Sequence, residues 1–342
     1  MPSFERDSNR IVIAGASSLL GAELKSLLEE GRFAGWDLRL VDEELAAGTL
    51  TEAGGEPAVI QPVEEGSFDR ARLIFFTGSP EFSRANLKAA TQTGAKVVDL
   101  SGVALENADD TPVVAWFPKL DSLRGQVSPV DGKLFAVPSA AATATSALAL
   151  ALSKLGLIRM SAVHFHPVSE AGRAGIEELE TQTGKLLSFQ PFGRPVFDTQ
   201  VAFNLLDRFG AGSRQKLRST VQRIRGEVKA CVSKKVALPA VQVVHAPVFY
   251  GATFSVCADV DVLNVQKIAE VCREAEFVIV PEGDAPPSNV SVAGETSIFL
   301  AQPNNDPSDG GTFWIWGAAD NIRLPAWNAV KLAEKLLKGS GE

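Results

Sequence analysis

The run IVIAGASSLLGAELKSLLEE, residues Ile11 to Glu30, passes from a short unbroken apolar stretch through a glycine-bearing turn into an amphipathic helix. Four contiguous apolar residues suit a strand covered on both faces. Leu20, Leu24, Leu27 and Leu28 then recur at helical spacing until Gly31 stops the helix. Gly15 and Gly21 bracket the turn, where backbone amides and the positive end of the helix dipole can hold a pyrophosphate. Gly15, Ser17, Ser18, Leu19, Leu20 and Gly21 are therefore the candidate nucleotide-binding residues. Ser18 stands where a full dinucleotide fingerprint has its middle glycine, so side-chain bulk is added there, although the Ser17 and Ser18 hydroxyls could donate to phosphate. The competing reading is a plain tight turn.

The same grammar continues outward. Apolar strands are expected at residues 10–14, 37–41, 58–62, 73–77 and 96–100, with a helix opened by Ser79 and Pro80 and closed before Gly94. This alternation is that of a doubly wound parallel sheet covered on both faces. The second strand ends at Asp42, 21 residues after Gly21. An acid there can accept hydrogen bonds from a ribose diol and repels a 2′-phosphate, so Asp42, Glu43 and Glu44 favour NAD over NADP. A solvated acidic strand end explains them equally well.

From about Val163 the pattern changes. Residues 253–261 alternate polar and apolar, the mark of an antiparallel strand with one covered face. Further strands are expected at 241–250, 277–280, 297–302 and 312–318, with helices near 213–228 and 263–275, a turn-rich loop at 303–311, and a last helix after Asp320 bearing Val330, Ala333 and Leu337 on one stripe. Between the two regions, FAVPSAAATATSALALALSKL (135–155) reads as a strand end, a cap at Ser139 and a long helix. Such a junction suits a nucleophile, because helix N-terminal amides lower a thiol's pKa. Here it carries Ala140, Ala141 and Ala142.

The 342 residues accommodate two domains. A formal charge of -8 argues against nucleic acid and anionic membrane as partners. No apolar run approaches the ~18 residues of a membrane span, and the charged N-terminus lacks a signal sequence, so a cytoplasmic protein is expected. Cys231, Cys257 and Cys272 are odd in number and lack metal spacing; they read as packed side chains. His164 and His166, two apart on a strand, share a face and with His245 could form a three-histidine zinc site, but no acid or cysteine at metal spacing joins them and no metal is expected. The basic span 208–235 reads as the solvent face of an amphipathic helix whose inner face is Leu217, Val221, Ile224 and Val228. Asp320 is a candidate cap; alternatively its helix brings Asn321 beside a nicotinamide pocket.

Six pieces in chain order, GASSLLG, VVDLSG, SEAGRAGIEELETQT, VAFN, APVFYG and DNIR with NAV, resemble the aspartate-semialdehyde dehydrogenase family. The resemblance implies a Rossmann-type α/β domain over 1–138, completed by a C-terminal helix (322–338), and an α+β dimerisation domain with a mixed sheet over 139–321. It also implies a homodimer and nicotinamide-dependent aldehyde oxidation through a thioester. The family's Asn-Cys-Ser/Thr appears as Ser139-Ala140-Ala141, its Tyr-Gln as Phe165-His166, the arginine of Arg-Val-Pro-Val as His245 and the histidine of Gly-His-Ser as Ala252. The arginine that follows Asp-x-Ser is missing, and the Gly-Ala pair after Asp-Asn-Leu-Arg is Leu324-Pro325. An alanine methyl cannot attack an aldehyde. The expectation is a homologue without the parent activity, binding NAD or no nucleotide, in a regulatory or binding role; the alternative is an NAD-linked semialdehyde oxidoreductase with an altered mechanism.

Overall fold

The computed structural model describes residues 9–46, 48–53, 56–106, 112–232, 236–261, 264–307 and 311–338, which form two compact units. Lys234 and Lys235 of the basic span, residues 107–110 after Asp-x-Ser and residues 308–310 of the turn-rich loop lie outside the described residues.

The first unit comprises Met1–Pro118, Ser128–Val137 and Ala326–Glu342. Its elements are β1 (Arg10–Ala14), α1 (Leu19–Glu30), β2 (Asp37–Asp42), β3 (Leu50–Ala53), β4 (Glu56–Val59), β5 (Gln61–Pro62), β6 (Leu73–Phe76), α2 (Pro80–Thr91), β7 (Lys96–Asp99), β8 (Val113–Ala115) and β9 (Leu134–Ala136). Seven strands pair in the order β5-β2-β1-β6-β7-β9-β8, every pair parallel. Strand alternation assigns the two faces: Ile11, Ile13, Phe75 and Val98 point to α1 and the C-terminal helix, while Val12, Ala14, Ile74 and Phe76 point to α2. The expected strand at 58–62 divides. Its first residues pair with β3 in a separate hairpin, and only Gln61–Pro62 join the parallel sheet. Strands β8 and β9, three residues each, were too short to announce themselves by periodicity.

The second unit takes Lys119–Val127 and Pro138–Pro325. It contains α3 (Leu120–Arg124), α4 (Ala140–Ser153), β10 (Leu157–His166), α5 (Gly172–Leu187), α6 (Leu217–Cys231), β11 (Ala240–His245), β12 (Ala252–Val260), α7 (Val265–Glu274), β13 (Val278–Ile279), β14 (Phe299–Leu300), β15 (Asn304–Asn305) and β16 (Thr312–Ala319). Its mixed sheet runs β11-β10-β12-β16-β14-β13, with β15 also on β16; β10 and β11 are parallel, whereas β10-β12 and β12-β16 are antiparallel. Helix α4, buried over nearly its whole length, packs on β10 and β12. The strand expected over 241–250 stops at His245, because Pro247 has no N–H to continue the ladder. Helix α6 starts at Leu217 rather than Ser213, whose hydroxyl instead closes a turn onto the Gln215 amide.

The last helix, α8 (Arg323–Lys338), places Ala329, Val330 and Ala333 in the first unit's core with Leu337 packed at its edge. Among the described residues no helix is long and apolar enough to cross a membrane.

Candidate functional site

Two sets of residues carry chemistry, one in each unit. In the first, the turn after β1 is drawn in by Gly15 at φ 94°, whose amide donates to Val41 O at 2.9 Å. A Cβ on Gly15 would meet Gly78 N at 2.1 Å, and one on Gly21 would meet Gly15 O at 2.5 Å, so three backbones touch and only glycine serves. Ser18 caps α1 by accepting from Gly21 N at 2.8 Å and donates its hydroxyl proton to Thr77 O at 2.9 Å. That commits its only proton, so Ser18 cannot donate to a phosphate as the sequence suggested. The amides of Leu19 and Leu20, in the first turn of α1, lack intrahelical acceptors, and the Ser17 hydroxyl lies at the half-buried lip of the loop. Those three donors fit a pyrophosphate. Asp42, 6% exposed, accepts from Ser17 N and from Glu43 N, both at 2.8 Å.

In the second unit the sequence-predicted positions gather at one end of the mixed sheet. Ala140 is the first residue of α4 and is buried; Ser139 caps that helix by accepting from Ala142 N at 3.3 Å. The Ser139 hydroxyl donates to Glu227 Oε2 at 2.6 Å and its amide to the same oxygen at 3.1 Å. Glu227, 1% exposed, projects from α6, so its charge sits where the positive end of α4 and the Arg223 guanidinium, 3.7 Å away, offset its desolvation. Arg223 lies equally far from Glu170. Glu170 Oε1 accepts from Asn321 Nδ2 at 3.1 Å, and Asn321 Oδ1 accepts from Gly251 N at 3.0 Å, just before Ala252 opens β12. A polar chain thus runs from the start of α4 to the start of β12.

His166 and His245 are register partners at the ends of β10 and β11, and His164 lies on the same buried face as His166, ring centroids 6.4 Å apart. Burial drives the pKa of His164 down to about 3, with His166 adding to the fall. Burial also lowers His166, against the opposing pull of Glu170 and with a further push from Arg223. His245 is lowered by burial, although a bond to Val201 O at 3.3 Å partly opposes it. All three are neutral imidazoles near pH 7. His164 Nε2 is joined to Thr145 Oγ1 at 2.9 Å, and among the described residues no group of three His, Cys, Asp or Glu side chains is placed to hold a metal. Burial pushes the thiols of Cys231 and Cys272 up to about 12, consistent with packed rather than reactive sulfur.

Asn321 hydrogen-bonds to Ser169, Glu170 and Gly251 within the second unit. Asp320 caps the last helix, accepting from Ile322 N and Arg323 N at 2.8 Å each. One expectation needs correction: the basic span is not wholly a solvent face, since Arg223 is held between two carboxylates and Arg225 donates to Val241 O at 3.2 Å. Sequence reading missed Glu227 and Glu170. The available signal was Glu227 itself, an acid lying three residues after Ile224 and one before Val228 on the inner stripe of α6.

Known proteins match the whole of this architecture. Residues 10–117 match the semialdehyde dehydrogenase NAD-binding domain and residues 148–324 the semialdehyde dehydrogenase dimerisation domain. The chain belongs to the aspartate-semialdehyde dehydrogenase family. Its relatives include the USG-1 protein homolog of Pseudomonas aeruginosa, 31% identical over 96% of this chain and 97% of that protein. The structure of a probable aspartate-semialdehyde dehydrogenase from the same organism superposes with a TM-score of 0.85 at 29% identity, covering 96% and 98% of the two chains. Aspartate semialdehyde dehydrogenase II from Vibrio cholerae shares the fold at a TM-score of 0.83 and 23% identity, over the same shares of each chain. The first unit of this semialdehyde dehydrogenase relative is thus an NAD(P)-binding domain, and its second a dimerisation domain.

Proposed function

We propose that this chain is a cytoplasmic, homodimeric member of its family that binds NAD but does not carry out the parent thioester reaction, and that it serves a regulatory or binding role. The supporting observation is the start of α4. Position 140, which by resemblance belongs to the nucleophile, is a buried methyl group, and the neighbouring Ser139 hydroxyl is tied to Glu227. Neither remaining buried thiol is ionisable near neutrality. A hydroxyl nucleophile needs a base free to take its proton. The Glu227 oxygen facing Ser139 already accepts both the hydroxyl and the amide of Ser139, and the other oxygen is paired with Arg223 at 3.7 Å, so the carboxylate is engaged on both sides.

The homodimer is supported by the open face of the mixed sheet. Trp314 and Trp316 are 44% and 37% exposed there, and the Phe165 ring lies 5.9 Å from that of Trp316. Contiguous aromatic surface of this kind marks interfaces. Nucleotide binding is supported by the loop donors described above. The test is turnover of purified protein with aspartate semialdehyde, phosphate and either NAD or NADP. No turnover is expected; a rate of even roughly 1 per second, modest for an enzyme, overturns the proposal.

The altered-mechanism oxidoreductase draws on one observation. His166 is 4% exposed, its Nε2 has no hydrogen-bond partner among the described residues, and it stands within electrostatic reach of Glu170 and Arg223. An aldehyde-dependent NAD reduction abolished by His166→Ala would favour that alternative.

A further inference from the structure

Residues 208–235 hold nine lysines and arginines but a single acid, Glu227, in a chain whose formal charge is -8. Glu227 is buried and bonded to Ser139, so it neutralises nothing at the surface. Arg218, Gln222, Arg225 and Lys229 are exposed and recur every three or four residues, which sets them along one stripe of α6. Arg214 and Lys216, also exposed, stand just before the helix. Lys216 and Arg225 reach carbonyl oxygens, of Ala211 at 2.9 Å and Val241 at 3.2 Å, and none of these five cations is ion-paired among the described residues.

This arrangement works against the helix. Its first turn has no acid and Lys216 provides no side-chain cap, so Arg214, Lys216 and Arg218 crowd the positive end of the α6 dipole. Arg225 and Lys229, four residues apart, add a like-charge repulsion. Local conflict of this kind is expected where a function uses it. Helix α6 packs on α4 and β11, and α4 lies on the His164 face of β10, where Thr145 meets His164. Phe165 and Trp316 occupy the opposite face, so a dimer formed through that face leaves the stripe open.

The complementary charge is in the same chain. Glu43 and Glu44 follow β2, Glu64 and Glu65 follow β5, the strand paired with it, and Glu81 lies in the first turn of α2, whose cap Ser79 donates to Glu43 at 3.0 Å. All five carboxylates are exposed at one end of the parallel sheet, and none is ion-paired among the described residues. We propose that the basic stripe of α6 is a docking surface for a second copy of this chain, received on that copy's acidic crest, so that dimers associate further. Five cations meet five carboxylates, and such complementarity steers encounter, selects the partner and fades as salt screens it.

The test is sedimentation velocity of the full-length protein at about 0.02 M and about 0.5 M NaCl, between which the screening length falls from roughly 20 Å to roughly 4 Å. Wild type is compared with Arg218→Glu/Arg225→Glu/Lys229→Glu and with Glu64→Lys/Glu65→Lys/Glu81→Lys, all at exposed positions, with circular dichroism to show that each is folded. Wild type at low salt should reach at least twice its high-salt mass, and the high-salt mass reports the dimer separately. Each variant alone should keep its high-salt mass at low salt. An equimolar mixture of the two should recover the association, because their reversed patches complement one another. A wild-type mass that ignores salt, association that survives either triple variant, or a mixture that fails to recover would overturn the proposal. Duplex DNA bound by wild type at physiological salt and lost with the α6 variant would assign the stripe to nucleic acid and overturn it likewise.

Discussion

Acidification from pH 7.5 to 5.0 should destabilise the protein by about 2 kcal/mol through His164 alone. The side chain is 1% exposed, its Nε2 is committed to Thr145 and its Nδ1 has no partner among the described residues, so a proton would create a buried charge without a counterion. Its pKa falls to about 3, against about 6.5 in the unfolded chain. Because the folded pKa lies below the unfolded one, the stability this group contributes is complete above pH 6.5 and is lost as pH falls from there toward 3. At pH 5.0 the unfolded imidazole is almost fully protonated and the folded one almost fully neutral, which by linkage is worth about 2 kcal/mol. His166 and His245 move in the same direction and steepen the same dependence. Urea unfolding followed by circular dichroism at pH 7.5, 6.5, 5.5 and 5.0 reads the effect. His164→Gln should be less stable at neutral pH yet lose about 1.1 kcal/mol less per pH unit between 6.5 and 5.0. A flat stability profile from pH 7.5 to 5.0, or an identical slope in His164→Gln, would refute the reasoning.

Three further outcomes follow from the geometry. Ser139→Ala removes a helix cap and the hydroxyl donor to a buried carboxylate, and should cost about 2 to 3 kcal/mol in urea unfolding, with Ser139→Thr recovering most of it. Gly21→Ala drives a methyl to 2.5 Å from Gly15 O and 2.9 Å from Ala16 Cα, a backbone clash worth about 2 to 3 kcal/mol that should also weaken nucleotide binding by calorimetry. Trp316→Arg on the open sheet face should halve the mass seen in analytical ultracentrifugation without changing the circular dichroism; a variant that stays dimeric removes that face from the interface.

The first unit's core and its last helix could be read from sequence because both obey a period. Ile11–Ala14 is apolar without a break, and Val330 and Ala333 fall on one helical stripe that the structure buries. The short strands β8 and β9 contain too few residues to express any period, and Ala58–Val59 were misassigned because an apolar run does not say which strand it will pair with. The second unit's polar chain was the least legible part. Glu170, Asn321 and the α6 pair Arg223 and Glu227 come from three separate segments, and charge on an amphipathic helix ordinarily means solvent. What sequence could supply was the anomaly, an acid on the apolar stripe of α6 and three alanines at a helix start.

No acyl-enzyme should form at the start of α4, and intact-mass spectrometry of the protein quenched during incubation with aspartate semialdehyde and NAD+ tests this most directly. The spectrum should show only the unmodified chain. A substrate-derived covalent adduct that peptide mapping places on Ser139, Thr143 or any cysteine would contradict it.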